Sequence, residues 1–575
     1  MNHHSIGGVP LVSRRSALRL LVSTAGLSVL AACTGTNVAQ PAPTVASAAP
    51  PTTAPAAAKP ASTTPPSAAA TVSATSAPAK PSVQPTSVPQ AQGKPGGTLR
   101  HATTADVATL DPYLVTTNGM ETSWLVFDRL TAYDASLKPQ PMLAESWDFS
   151  PDFKQFKLNI RKGVQYHSGR ELTSDDVKYS LLRPRDTSVG NGILAGISNW
   201  FTSIDTPDKY TVEIKTDAPR PGFFDGLEIF NICDKANVEG PDAKTSIVGT
   251  GPFVLMERVP GDHFTFVKNK NYWQSGRPYL DGVVTNIRNQ QNMSLQLEGG
   301  LLDSVKMPQI DDFARLRSNP DYLASVAPNS GTFFEIGINS RNPPLDDKRV
   351  RQALNYALDR KRYAETIFHG AATPINLPWS ESSPAFDAAK NTIYPYDLDK
   401  ARALLKDAGV SGLETDILVI GIAQPQLLAF TQIYQASLDS IGIKLNIKNM
   451  EQAAWLDVVI NKKPEYTGFW GSSDTFANVS PGSLFSLSPG WRTANNHSNF
   501  ANDTYAGLVA TVSSETDPAR QKTAYAAIND YMLDQSFTMP ISTNPITLLT
   551  TRKVHGIDLL MHIGALSFTN TWLDA

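Results

Sequence analysis

Asp397-Leu398-Asp399-Lys400-Ala401-Arg402-Ala403-Leu404-Leu405-Lys406-Asp407-Ala408-Gly409 is followed by an apolar run at 417–420, by Phe430, Ile433, Tyr434 and Leu438 ahead of Gly442, and by Ile443, Leu445 and Ile447 in alternation. Ala401, Leu404, Leu405 and Ala408 recur at helical spacing, so this segment predicts a helix opened by Asp397 or Asp399 and stopped by Gly409 in the left-handed conformation. A strand, a second helix and a second strand follow. Helix and strand in alternation predict α/β architecture with a partly parallel sheet. A further helix opens with Asp517 as cap and Pro518 in its first turn, burying Tyr525, Ile528 and Met532.

Upstream the pattern changes. Phe156, Leu158 and Ile160 alternate with Lys157, Asn159 and Arg161, and Val212 and Ile214 alternate with Thr211, Glu213 and Lys215. Period two with one apolar side predicts two half-buried antiparallel strands. Thr173-Ser174-Asp175-Asp176 ahead of Val177 and Leu181 predicts a helix start, with Thr173 as cap and the Asp pair at the positive end of the dipole. No regular repeat links these elements, which excludes a solenoid.

All 49 aromatic residues of the 575 lie after residue 95, so one large folded unit of two or more lobes is expected there. Residues 1–95 hold six Lys or Arg and no acid, which leaves 44 basic against 53 acidic residues beyond them, a net charge of about −9. That sign opposes a phosphate backbone, and no nucleic-acid partner is expected. Cys33 and Cys233 fall on opposite sides of the division, so no disulfide staples the folded part from within.

Arg14, Arg15 and Arg19 precede an apolar run of thirteen residues, 20–32, and then Cys33. A permanent membrane span needs about 20 apolar residues, so residues 1–33 read as an export signal. Residues 34–95 contain 17 Ala, 13 Pro, 10 Thr and 7 Ser and no aromatic, Leu, Ile or acidic residue, a composition that builds no core and predicts a disordered linker.

Leu30-Ala31-Ala32-Cys33 resembles a bacterial lipobox, which implies lipidation of Cys33, and residues 13–19 resemble a twin-arginine motif with Ala17 in the usual aromatic position. Further on, Pro141-Met142-Leu143-Ala144-Glu145-Ser146-Trp147, Gly163-Val164-Gln165-Tyr166-His167-Ser168-Gly169, Gly249-Thr250-Gly251-Pro252-Phe253, Asn271-Tyr272-Trp273 and Val350-Arg351-Gln352-Ala353-Leu354 stand in order along the chain. Together they resemble the signature of the family 5 extracellular solute-binding proteins, the peptide- and nickel-binding components of bacterial ABC importers. The resemblance implies an α/β, periplasmic-binding-protein-like fold (class II, cluster C) of two lobes with a third inserted lobe and a hinge-closing cleft. By analogy the first lobe takes residues 96–139, 245–333 and 539–575, the insert 140–244 and the second lobe 334–538.

The function implied is capture of a peptide or a similar small solute and its delivery to an ABC permease and its ATPase, by a monomer anchored through the lipid on Cys33 at the outer face of the cytoplasmic membrane or in the periplasm. A non-peptide solute (an opine, a sugar, nickel or haem) and a sensor lipoprotein of the same fold are the alternatives. For the ligand's ammonium the resemblance offers Asp474 in Phe469-Trp470-Gly471-Ser472-Ser473-Asp474, with the family acid displaced by one position onto Ser473 as the other alignment, and Trp470 as a stacking or core residue. Thr117 and Asn118, with Thr116, follow Leu110-Asp111-Pro112 in the loop bordering the family cleft. Dipeptide binders place an Arg ahead of the helix that ends here at Gly442; this chain has Gln424 and Gln426 there, side chains suited to neutral carbonyls or hydroxyls. Tyr113 and Phe476 are further aromatic candidates near the cleft.

Catalytic motifs are missing from the sequence. There is no Gly-x-Ser-x-Gly elbow, no His-Glu-x-x-His and no phosphate loop, so the chain is not expected to be an enzyme such as a secreted hydrolase. Its nine His are scattered, with His263, His369 and His497 as isolated candidates, so no metal site and no cofactor are expected. Asp346 and Asp347 read as a helix start and Cys233 as a buried small hydrophobe.

Overall fold

The computed structural model describes residues 93–574 apart from 105, 108, 110, 114–118, 135–136, 187–188, 190–191, 241–246, 328–330, 462–465, 475–479 and 561–564. The export signal with Cys33, residues 34–92 of the linker, Thr116, Thr117, Asn118 and Phe476 lie outside the described residues.

Two large sheets carry the architecture. The first has seven strands in the order Tyr322–Val326, Thr547–Thr551, Ser304–Lys306, Thr98–Thr103, Gly282–Ile287, His263–Lys268 and Phe253–Val259. Thr98–Thr103 runs parallel to both its neighbours and the other pairings are antiparallel. The second has five strands in the order Lys444–Asn449, Glu414–Val419, Phe469–Asp474, Phe333–Ile338 and Thr538–Thr543. Its first three strands are mutually parallel, as the helix–strand alternation predicts. A separate antiparallel sheet joins Ala144–Phe149, Gln155–Ile160, Thr211–Thr216 and Phe201–Asp208, and its two alternating strands pair directly with Leu158 opposite Val212.

Local capping rules account for the helices around the second sheet. Asp347 accepts from the Arg349 N–H at 2.8 Å, Asp397 from Lys400 at 2.8 Å and Asp517 from Arg520 at 2.9 Å, which opens Lys348–Tyr356, Leu398–Asp407 and Pro518–Gln535. Gly409 follows the second of these at φ +72°, a conformation open to a residue without Cβ. Ahead of Ser174–Leu182, the Thr173 N–H and hydroxyl both donate to Asp176, at 2.8 and 3.0 Å.

Several of the landmark motifs are tied together inside the first core. The Trp273 indole, the Tyr272 hydroxyl and the Thr250 hydroxyl donate to the buried Asp128 carboxylate at 2.8, 3.0 and 3.0 Å. Burial outweighs these three hydrogen bonds and pushes the Asp128 carboxyl up to about 6. Cys233 is fully buried against Tyr113 and Ser180, and burial pushes its thiol up to about 11, as expected of an inert core cysteine.

The chain passes between the two sheets twice, after Tyr322–Val326 and after Thr538–Thr543. The crossings are hydrogen-bonded to each other: Ala327 N–H donates to Ile546 O at 2.8 Å, Asn544 N–H to Thr332 O at 2.9 Å, and the Thr332 hydroxyl to Asn544 O at 2.9 Å. Met539 and Ile541 point into the second core, so Thr538–Thr543 belongs to the five-stranded sheet. The return to the first sheet therefore falls beyond residue 543, rather than at 539 as the analogy suggested. No helix among the described residues is long and apolar enough to cross a membrane.

Candidate functional site

Parallel strands end where their following helices begin, and ligand sites in α/β sheets gather at those carboxyl ends. In the second sheet, Glu414–Val419 is followed by Gln424, the residue immediately before the helix Pro425–Asp439, and the neighbouring parallel strand Phe469–Asp474 ends beside it. Gln424 Nε2 donates to Ser473 Oγ at 2.8 Å. In the first sheet, Ser304–Lys306 leads directly into Met307 and Pro308, whose carbonyls accept from Gln290 Nε2 at 2.7 and 3.2 Å.

These two strand ends face one another across a cavity of about 170 Å³ beside the second crossing. Gln290, Met307 and Thr547 line it from the first sheet, and Phe334, Gln424, Gln426 and Ser473 from the second. Three of the residues expected at the site, Gln424, Gln426 and Ser473, are thus brought together. Gln290 and Met307 carry no sequence signal for this role, because the sheet that delivers them is assembled from segments distant in the chain.

Asp474 and Trp470 stand on the face of their strand opposite to Ser473. Side chains alternate along a strand, so Ser473 and Asp474 lie on opposite faces. Ser473 takes the cavity face, whereas Asp474 accepts from the Ser488 hydroxyl and lies against the buried carboxyl of Glu335, which also accepts from the Trp491 indole at 2.8 Å. Burial, and then the Asp474 charge, raise the Glu335 carboxyl well above the usual carboxylate range. Trp470 is fully buried, its indole donating to Ser498 Oγ at 3.1 Å, and it is a core residue. Tyr113 is equally buried, with its hydroxyl donating to Ser180 O at 2.9 Å.

The remaining candidates are accounted for one by one. His497 is packed edge-on between Trp455 and Trp470, His369 sits 2.6 Å from Asp311, and His263 lies against Asp262 and Glu257. Among the described residues no group of three His, Cys, Asp or Glu is placed to hold a metal ion. Asp346 and Asp347 stand at a helix start, with Asp347 as its cap.

On the first-sheet side, one buried charged cluster includes Lys306, the residue before the lining residue Met307. Lys306 Nζ is 2.8 Å from Glu121 Oε2, and His101 Nε2 is 3.8 Å from Glu121 Oε1, all three side chains being buried. Burial alone would raise the Glu121 carboxyl, but Lys306 and His101 together hold it down to about 2.

The model of the bacterial extracellular solute-binding proteins, family 5 (middle region), matches residues 138–491. Heme-binding protein A of Haemophilus influenzae is 28% identical over 406 residues, 64% of this chain and 73% of that protein. The glutathione-binding protein GsiB of Pectobacterium atrosepticum is 26% identical over 464 residues, 78% of this chain and 88% of that protein. Among solved structures, the periplasmic binding protein AgaA of A. tumefaciens R10, in complex with agropinic acid, superposes with a TM-score of 0.72 at 25% identity, covering 83% of this chain and 99% of that one.

Proposed function

The chain belongs to the bacterial extracellular solute-binding proteins, family 5, and we propose that it captures a peptide or a similar small solute in the cavity between its two sheets and delivers it to the permease and ATPase of an ABC importer. The observation that carries this reading is the double lining of the cavity, with Gln290, Met307 and Thr547 on one wall and Gln424, Gln426 and Ser473 on the other. A solute bridging both walls makes contacts that exist only when the lobes are together, and this difference in contacts drives closure about the two crossings. No covalent step is required, and binding without catalysis is the role proposed.

In this reading the first lobe takes residues 96–139, 245–333 and the chain after the second crossing, the inserted lobe takes 140–244, and the rest forms the second lobe. The protein acts as a monomer, exported through the twin-arginine-like signal and held by acyl chains on Cys33, each buried methylene contributing about 0.8 kcal/mol.

The test is native mass spectrometry of the protein purified without denaturation, followed by release and identification of the bound molecule. A ladder of peptide masses establishes peptide capture. A single non-peptide mass replaces peptide by that solute, and a cavity that retains nothing and takes up nothing from a peptide digest or a sugar mixture counts against capture. Cys33→Ala, which removes the acylated thiol, is expected to move the protein from the membrane fraction to the soluble one.

A further inference from the structure

Resting on the capture reading above, we infer that the solute is uncharged where it meets the cavity wall and offers an N–H or O–H donor to the Gln424 carboxamide. The first observation is the lining itself. Gln290, Gln424, Gln426, Ser473, Asn544 and Thr547 are its polar members, and none of the described lining residues carries a charge.

The second observation is what has happened to the charges nearest in sequence. Lys306 adjoins Met307 but is buried in its ion pair with Glu121. Asp311 adjoins Ile310 and pairs with His369, which itself adjoins Phe368. Asp474 adjoins Ser473 and is turned to the opposite face, against Ser488 and Glu335. Lys306 and Asp474 are held by partners away from the lining, and Asp311 and His369 pair on the exposed surface, so an ammonium or carboxylate entering the cavity would lose its hydration without finding a buried counter-ion.

The third is the state of Gln424. One of its two Nε2 N–H donors is used on Ser473 Oγ, while its Oε1 is buried and has no hydrogen-bond partner among the described residues. A buried acceptor without a partner costs free energy that a ligand donor recovers. The carboxamide is thus a preset acceptor, held in place by Ser473. Blocked or internal peptide segments and neutral sugars share the required chemistry; zwitterionic ends and uronic acids do not.

Two probe pairs separate these cases, each titrated calorimetrically at pH 7.5 into the full mature protein. One pair is acetyl-Ala-Ala-Ala-amide against Ala-Ala-Ala with free ends, and the other chitobiose against digalacturonate. In whichever pair binds, the neutral member is expected to bind at least about tenfold tighter, and Gln424→Leu is expected to weaken the neutral member about tenfold without lowering Tm. Equal or tighter binding of the ionised member overturns the inference while leaving capture intact, as does an unchanged affinity for the neutral member in Gln424→Leu. Binding of none of the four probes, together with an empty cavity after native purification, overturns the capture reading and this inference with it.

Discussion

Ser473 and Asp474 are consecutive in the chain and stand on opposite faces of the central strand of the five-stranded sheet, Ser473 against Gln424 at the cavity and Asp474 against Ser488 and Glu335 beneath the sheet. One peptide bond therefore separates a cavity-facing hydroxyl from a carboxylate on the opposite face. Ser473→Ala, which removes the hydroxyl and its hydrogen bonds without adding bulk, is expected to weaken binding of the retained solute about tenfold. Asp474→Asn is expected to leave that affinity within about twofold, because its partners lie on the other face. Competition titration with the solute recovered from the native protein measures both, and equal losses in the two variants would refute the division of roles.

The acid pair has a pH signature. The Glu335 carboxyl is raised in the folded protein by burial and by Asp474, so its contribution to stability is fully present below the ordinary glutamate pKa and is lost as pH rises through the elevated one. Glu335→Gln mimics the protonated form. Its Tm is expected to fall less than that of the wild type between pH 6 and pH 9, and parallel Tm profiles would refute a Glu335 carboxyl held protonated by burial and by Asp474.

A second buried carboxyl behaves in the same direction through burial alone, with no neighbouring acid. Asp128 is carried from 3.8 to about 6 by burial, against the pull of Trp273, Tyr272 and Thr250. Its stabilising contribution is complete below the unfolded value and disappears as pH rises through about 6, a change of about 3 kcal/mol across the window. Asp128→Asn is expected to be most destabilising near pH 4 and progressively less so up to pH 7. Urea midpoints measured at four pH values across that range test the sign directly.

The legibility of this chain followed the range of the interactions. Helix starts at Asp347, Asp397 and Asp517 depend on a hydrogen bond two or three residues away, and they stand where the residues predict them. The parallel pairing of residues 414–419 with 444–449 follows from helix–strand alternation, which is also local. The facing of Ser473 and Asp474 was open because a shift of one position exchanges the two sides of a strand, and only the assembled sheet settles it. Trp470 was ambiguous for a similar reason: whether an indole is core or ligand platform depends on the Gly337 and Gly490 backbones that leave it room. Gln290 and Met307 could not be anticipated, since the wall they form appears only when residues 290 and 424 are brought to the same cavity.

Gly337 makes the packing of Trp470 testable. It lies directly opposite Trp470 in the antiparallel pair, and a Cβ there would fall 2.1 Å from the indole ring. The ring cannot yield easily, being fully buried and hydrogen-bonded to Ser498. Gly337→Ala is therefore expected to cost about 1–3 kcal/mol, as overpacking in a filled core does. Trp470→Phe in the same background should recover part of that loss by vacating the space, which chemical denaturation of the single and double variants would show.

Lys306 and Glu121 provide the opposite pH dependence to Asp128, and Lys306 is the residue before the lining residue Met307. Because Lys306 and His101 depress the Glu121 carboxyl from 4.5 to about 2 against the cost of burial, its contribution is present above the unfolded value and is lost as pH falls through about 2. Lys306→Met leaves a buried carboxylate without its ammonium and is expected to cost about 3–5 kcal/mol at neutral pH. Glu121 then gains a proton more readily, since burial acts with less opposition, and the deficit should shrink as pH is lowered toward 4. Glu121→Gln combined with Lys306→Met removes both charges and is expected to be more stable than Lys306→Met alone, because no ion is left stranded. Urea unfolding of the wild type and the two variants at pH 4 and pH 7 provides the measurement. A double variant no better than the single would mean that the pair contributes through packing of the lysine stem rather than through its charge.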